Sequence, residues 1–203
     1  CRKGGIKPIV GVELYMARHS CFDKQSKMGG DQAHITVLAK NYHGYQNINR
    51  LVTIANFEGF SYKPRIDQET LFAHKEDLIV TSGCMSSLFN RLLRDGKDSE
   101  AEELFALYKK EFGEDFYIEI QIHPTITELA ELTKKQVAIA RKLNIELVAT
   151  NDVHYVHKDD AIAQDALLCV QTRKLISDTK RMSMIDSPSF YLKSSEEMIE
   201  LFK

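Results

Sequence analysis

Five side chains in this 203-residue sequence are of types that ligate divalent metal ions, and all five stand at or near the ends of apolar runs: Glu13, His34, Cys84, Asp152 and His154. Carboxylate, imidazole and thiolate are the donors a zinc-type ion accepts, at roughly 2.0–2.3 Å. A carboxylate shared by two ions about 3.5–4 Å apart supports activation of water and stabilisation of a phosphoryl leaving group. Asp152 and His154 stand two positions apart, which puts both on one side of an extended segment. Each residue also has an ordinary structural reading. Asp152 serves equally as a turn residue, and His154 as a surface imidazole. Glu13 serves as the partner of a nearby Lys or Arg, His34 as a core histidine, and Cys84 as a small buried hydrophobe. Only Asp152 and His154 are local to each other, so spacing alone leaves both readings open.

The elements that would position these residues alternate. Short apolar runs at 9–15, 34–39, 78–82, 116–122 and 146–150, with a further short one at 190–192, read as strands. Helical patterns follow at 44–57, 86–94, 99–112, 127–143, 159–172 and 195–202, with capping-box starts expected at Ser99/Glu102 and at the final helix. This alternation predicts an α/β fold with a largely parallel sheet or barrel, whose chemistry gathers at the C-terminal ends of strands. Glu13, Cys84, Asp152 and His154 fit that rim. His34 opens its strand instead. The stretch at 18–31 is polar, glycine-bearing and without helical period. An antiparallel hairpin joining 9–15 to 34–39 is therefore expected, and it returns His34 to the same rim.

Other features carry less. His123 follows a strand and precedes Pro124; it is a possible extra site residue or a turn histidine. Lys63 and Arg65, interleaved with Phe60 and Tyr62, could contact a nucleic-acid backbone or could be surface charges on a packed loop. Arg173, Lys174, Lys180 and Arg181 form a second basic group with the same ambiguity. No Walker loop, G-x-G-x-x-G or G-x-S-x-G is present, which removes support for kinase, dehydrogenase and serine-hydrolase classes. The formal net charge of −2 argues against a polybasic role. Four scattered cysteines outline no disulfide framework and fit a reducing compartment. No apolar run is long enough to span a bilayer. The first residues run into a strand without an initiator Met and the last helix has no stop signal, so a piece of a longer polypeptide is expected.

The stretches at 5–15, 34–41, 59–67, 78–84 and 148–155 (VATNDVHY) together resemble the polymerase-and-histidinol-phosphatase (PHP) domain, and more narrowly the PHP domain of bacterial DNA polymerase III alpha subunits, DnaE type. The stretches at 165–172, 180–182 and 190–194 fit the same pattern, so the resemblance keeps its order over essentially the whole chain. It implies a distorted seven-stranded β/α barrel with up to three metal ions. Its ligands are an early H-x-H, a nearby acid, a D-H pair, then Glu, His, Cys or His, and a final D-x-H. Glu13, His34, Cys84, Asp152 and His154 match the later members; the early ones have no counterpart. The expectation is a single PHP domain fragment over 1–203, an incomplete (β/α)7 barrel without its first two strands, with the polymerase palm and later domains outside the chain.

The resemblance further implies DNA-directed DNA synthesis by the parent chain and a metal-dependent 3′–5′ exonuclease or phosphoesterase centre in this domain, weak or absent in the isolated fragment. Glu13 would bridge ions, His34 and Cys84 would complete one, and Asp152 and His154 would hold others; Glu13, Asp152 and His154 form the catalytic set. Cys84 would bind as thiolate. Zinc is the expected metal, with manganese or magnesium as alternatives. Implied partners are DNA, the rest of the alpha chain, a separate proofreading subunit and other replisome subunits, in the bacterial cytoplasm and without a membrane. The alternative is a metal-stabilised scaffold that supports the polymerase and docks the proofreading subunit. A free-standing phosphoesterase ranks lower, because 63–67 and the C-terminal segments resemble the polymerase branch.

Overall fold

The computed structural model describes residues 1–23 and 32–203. The connecting stretch read as non-helical therefore lies, at 24–31, outside the described residues. On either side of it, β1 (Gly11–Ala17) and β2 (Gln32–Ala39) pair antiparallel, with Tyr15 opposite His34 and Glu13 opposite Thr36. The expected hairpin is thus formed. Pairing starts at Gly11 rather than at position 9, because β2 ends at Ala39, whose N–H already reaches Val10 O at 2.8 Å. Beyond Ala39 the chain turns into α1 (Tyr42–Phe57), where Asn41 Oδ1 accepts the Gly44 N–H.

Next come β3 (Arg65–Ile66) and α2 (Gln68–Ala73), which the sequence reading did not anticipate. A two-residue strand has no readable period, and α2 is short enough to depend on its cap: Asp67 accepts the Thr70 N–H at 2.8 Å. Then follow β4 (Leu78–Thr81), α3 (Leu88–Arg94), α4 (Asp98–Phe112), β5 (Phe116–Gln121), α5 (Thr127–Leu143), β6 (Glu146–Thr150), α6 (Ala161–Thr172) and α7 (Ser195–Leu201). The box expected at Ser99 does not form; α4 starts one residue earlier, and its N-cap, Lys97, makes no side-chain cap. The box at α7 does form, between Ser194 and Glu197. The candidate strand at 190–192 is reduced to a single bridge, Tyr155 to Tyr191.

The strands make one sheet in the order β3-β1-β2-β4-β5-β6. β1–β3 and β4–β5 are parallel, and β2–β4 is antiparallel. The fold class is α/β, as expected, and the sheet is open: no pairing joins β3 to β6 among the described residues. The chain divides into two compact units, Cys1–Glu119 with Lys135–Val148, and Ile120–Lys134 with Ala149–Lys203.

In the first unit the pleat separates two kinds of side chain. Leu14, Met16, Ala33, Ile35 and Val37 are buried on one face, while Glu13, Tyr15 and His34 occupy the other. Met16, Ala33 and Ile35 line a cavity of about 430 Å³ with Phe89 of α3 and Tyr108 of α4, so the buried face meets the helix layer. That layer is aromatic: Phe89 packs on Phe105 at 4.6 Å and on Tyr108 at 5.0 Å between ring centroids. Truncating Phe89 to Ala would cost about 3–5 kcal/mol. In the second unit Tyr155, Ala161 and Phe190 form a small apolar cluster.

Candidate metal centre

The polar face of the β1–β2 hairpin gathers three of the five sequence-predicted donors. His34 Nδ1 lies 2.9 Å from Glu13 Oε1 and 3.5 Å from Cys84 Sγ. One donor atom from each residue falls within 4.8 Å of the other two, and this is the one such three-residue group among the described residues. Cys84 reaches this position through Gly83, whose φ of +78° turns the exit of β4. A Cβ on Gly83 would stand 3.1 Å from His34 O and 3.3 Å from Ser87 Cβ, so glycine is required both for conformation and for space. The loop after β4 is then pinned to β2: His34 N–H donates to Ser86 O at 3.3 Å. Cys84 O accepts the Ser87 N–H at 2.9 Å and Asn90 Nδ2 at 3.0 Å. Asn90 is itself held by Gln136, whose Nε2 donates to Asn90 Oδ1 at 3.0 Å.

The electrostatics of this cluster favour a cation. The Cys84 sulfur, and next the Glu13 carboxylate, stabilise a proton on His34 and push its pKa up to about 10. A divalent cation would take the place of that proton among the same three groups. The donor set of carboxylate, imidazole and sulfur therefore fits a transition-type divalent ion.

Asp152 and His154 form a second pair, 3.9 Å apart between Asp152 Oδ1 and His154 Nδ1. The expected extended backbone is absent here. Asp152 has φ +46°, and His154 Nδ1 lies 2.6 Å from the Asp152 main-chain oxygen, so a turn brings the two together. A protonated Nδ1 donating to a carbonyl leaves Nε2 with its lone pair, the tautomer of a metal-ligating histidine. The His154 ring stands edge-on to Phe190 at 5.5 Å, and the His154 main-chain N–H donates to Phe190 O at 2.8 Å. Asp152 and His154 belong to no three-donor group among the described residues.

His123 is 2% exposed and stacks on the same Phe190, with centroids 4.0 Å apart. Its Nδ1 is 2.7 Å from Ser189 Oγ, and its Nε2 is buried without a hydrogen-bond partner among the described residues. Burial, then the nearby Lys193 and His154, hold its pKa down to about 4, so it is neutral.

Three residues of this region were not singled out in the sequence: Asn151, Phe190 and Lys193. Asn151 Nδ2 donates to Ser189 O at 2.9 Å and to Tyr191 O at 2.7 Å, and its Oδ1 accepts Lys193 Nζ at 2.7 Å. The D-x-H turn is thereby stitched to residues roughly forty positions away. A short apolar run at 190–192 was the only local signal of that partner.

The basic candidates divide. Lys63 is exposed, with Nζ 5.5 Å from the Tyr15 ring centroid. Arg65 is corrected: it is 2% exposed, and its guanidinium donates to Gly59 O, Cys21 O and Asp23 O at 3.0–3.2 Å. A buried side chain that donates to three main-chain carbonyls holds a loop together and does not present its charge to solvent. Arg181 is likewise engaged, in a bidentate pair with Asp165 at 2.6 and 2.7 Å.

Comparison with known proteins decides the family. The profile described as "PHP domain" matches residues 1–123. The chain belongs to the PHP domain family. Asp152 and His154 lie past the matched residues, but full-length relatives extend across them. The chain is 43% identical over 202 residues to the DNA polymerase III subunit alpha of Borreliella burgdorferi, covering 99% of this PHP chain and 17% of that protein. It is 44% identical over 204 residues to that of Treponema pallidum, covering 100% and 17%. It is 40% identical over 196 residues to that of Thermus aquaticus, covering 96% and 16%. The PHP chain thus spans about a sixth of the length of the curated relatives it matches. No helix among the described residues is long and apolar enough to cross a membrane.

Proposed function

We propose that residues 1–203 belong to a single PHP domain of the alpha subunit of a bacterial DNA polymerase III, and that the domain holds divalent metal ions for 3′–5′ hydrolysis of the terminal phosphodiester of a DNA strand. The observation that carries this reading is the convergence of Glu13, His34 and Cys84 on one sheet face. Glu13 and His34 with Cys84 would hold one ion, and Asp152 with His154 would contribute to others. The sulfur and imidazole donors favour zinc over manganese or magnesium. A divalent ion there supplies Lewis-acid polarisation of a phosphoryl oxygen and a more acidic water. The chain's own residues do the rest. Gly83 and Asn90 aim the Cys84 sulfur, the Asp152 carbonyl fixes the His154 tautomer, and Phe190 holds the His154 ring. Lys63 remains as the candidate nucleic-acid contact. DNA, the remainder of the alpha chain, a proofreading subunit and other replisome subunits are the partners this reading implies, in the bacterial cytoplasm.

A second reading, a metal-stabilised scaffold that supports the polymerase and docks a proofreading subunit, is favoured by one feature. An ion held by Glu13, His34 and Cys84 would cross-link β1, β2 and the turn into α3, which stabilises the fold whether or not catalysis occurs. The two separate by experiment. Purified alpha subunit carrying this domain, loaded with zinc or manganese, is assayed for bound metal and for release of nucleotides from 3′-labelled single-stranded DNA. The exonuclease reading expects release that Asp152→Ala abolishes, with the circular dichroism spectrum unchanged. Stoichiometric metal with no nucleotide release would leave the scaffold.

A further inference from the structure

The face that carries Glu13 and His34 also carries Tyr15, which stands opposite His34 in the hairpin register. The two rings meet edge to face, 5.0 Å apart at 72°. Lys63 Nζ also sits over the Tyr15 ring, 5.5 Å from its centroid. One aromatic ring therefore touches both an exposed ammonium and a member of the donor cluster. The loop that delivers Lys63 is tightly built. A Cβ on Gly59 would stand 1.8 Å from Arg65 O, and Arg65 grips Gly59 O from beneath. Ser61 N–H donates to Lys63 O at 3.0 Å, closing a turn with Tyr62 at its tip. Tyr62 takes φ +61°, a left-handed conformation uncommon for an aromatic residue, and is 65% exposed. Phe60 beside it is 52% exposed.

A loop packed only for stability would turn these rings inward. This one is fixed by glycine, arginine and main-chain bonds while its rings are exposed and its lysine lies over Tyr15, the residue beside His34. An exposed aromatic beside a cation is how single-stranded nucleic acid is held without sequence preference: the ring takes a base face and the cation a phosphate. We propose that the turn Ser61–Lys63 is the strand-guiding subsite of this centre. Lys63 binds a backbone phosphate of single-stranded DNA, Tyr62 stacks on a neighbouring base, and Tyr15 is the positioning residue that fixes Lys63 relative to His34. The inference rests on the phosphodiester reading above.

The test is fluorescence anisotropy of a 3′-fluorescein oligodeoxythymidylate titrated with the zinc-loaded alpha subunit carrying this domain across a salt series, with zinc content and circular dichroism measured for every variant. A phosphate contact makes Lys63→Gln reduce the slope of log affinity against log salt by about 0.7, while Lys63→Arg retains it. Tyr62→Leu weakens binding about tenfold with the slope unchanged, and Tyr62→Phe retains affinity. Tyr15→Leu weakens binding without loss of zinc, and Tyr15→Phe retains it. Wild-type binding with an unchanged slope in Lys63→Gln overturns this inference and leaves the phosphodiester reading standing. Tyr62→Leu binding as tightly as wild type would overturn the inference equally, whereas failure of the phosphodiester reading shows separately, as metal bound with no nucleotide release.

Discussion

His34 Nδ1 and Cys84 Sγ lie 3.5 Å apart although fifty positions separate them in the chain. The contact exists because His34 lies in the first half of a strand that returns antiparallel, while Cys84 follows a strand that ends beside it through a left-handed glycine. Both residues are also fixed through their main chains: His34 donates to Ser86, and Cys84 accepts from Asn90. Donor geometry is therefore set by the loop between β4 and α3, and that loop is where substitutions should report on the centre.

Asn90→Ala tests the support of Cys84. It strips the buried Cys84 carbonyl of one donor and Gln136 of its acceptor. The expected outcome is a loss of about 1–3 kcal/mol in stability and a metal affinity about tenfold weaker. Urea denaturation and a competitive chelator titration measure the two effects separately.

Gly83→Ala tests the turn. An L-residue at φ +78° is strained by about 1–2 kcal/mol, and the new Cβ meets Ser87 and the His34 carbonyl. Metal affinity should fall by more than the stability loss accounts for, because Cys84 is displaced from His34. An unchanged chelator titration would contradict this.

His123 predicts a pH dependence. Its folded pKa, about 4, lies below the ordinary histidine value near 6.5, so the unfolded chain takes up the proton first. The neutral form's contribution is fully present above pH 6.5 and is lost as pH falls through about 4. The upper limit is about 3 kcal/mol over that window. His123→Gln should flatten this part of the profile in urea melts collected between those pH values.

Asp165 clamps the segment after α6. Hydrogen bonds from Arg181, then from Ser183, hold its carboxyl down to about 2. That ion pair persists as pH falls below the ordinary carboxylate range and is lost as pH passes through about 2. Asp165→Asn should leave α6 folded but make the bond after Arg181 a fast site for trypsin at neutral pH. An unchanged digestion rate would show that the segment is held by other contacts.

The sequence singles out Glu13, His34 and Cys84 by residue type beside apolar runs, and the structure brings these three side chains together. The polar stretch after β1 implied a hairpin, and that hairpin is what turned His34 toward Glu13. Other features were hidden for identifiable reasons. Arg65 looked like a surface cation because its acceptors are main-chain carbonyls, which no side-chain pattern reveals. At Asp152 the spacing of two fits an extended segment as well as a turn, and a left-handed aspartate decides for the turn. Asn151 and Phe190 escaped notice because the contacts that define their role span roughly forty residues. Ser99 and Glu102 have the spacing of a capping box, yet α4 begins one residue before Ser99, which removes the N-cap position that the box requires.

Cobalt(II) binding tests the central claim most directly, because a cobalt–thiolate bond carries its own charge-transfer absorption. The 203-residue chain titrated with cobalt should show that band, with one thiolate per strongly bound ion. Cys84→Ser should remove it, Glu13→Gln and His34→Gln should weaken binding, and Cys21→Ser and Cys169→Ser should leave the band intact. A band that survives in Cys84→Ser, or cobalt bound at full strength without one, would contradict a metal centre built on Glu13, His34 and Cys84.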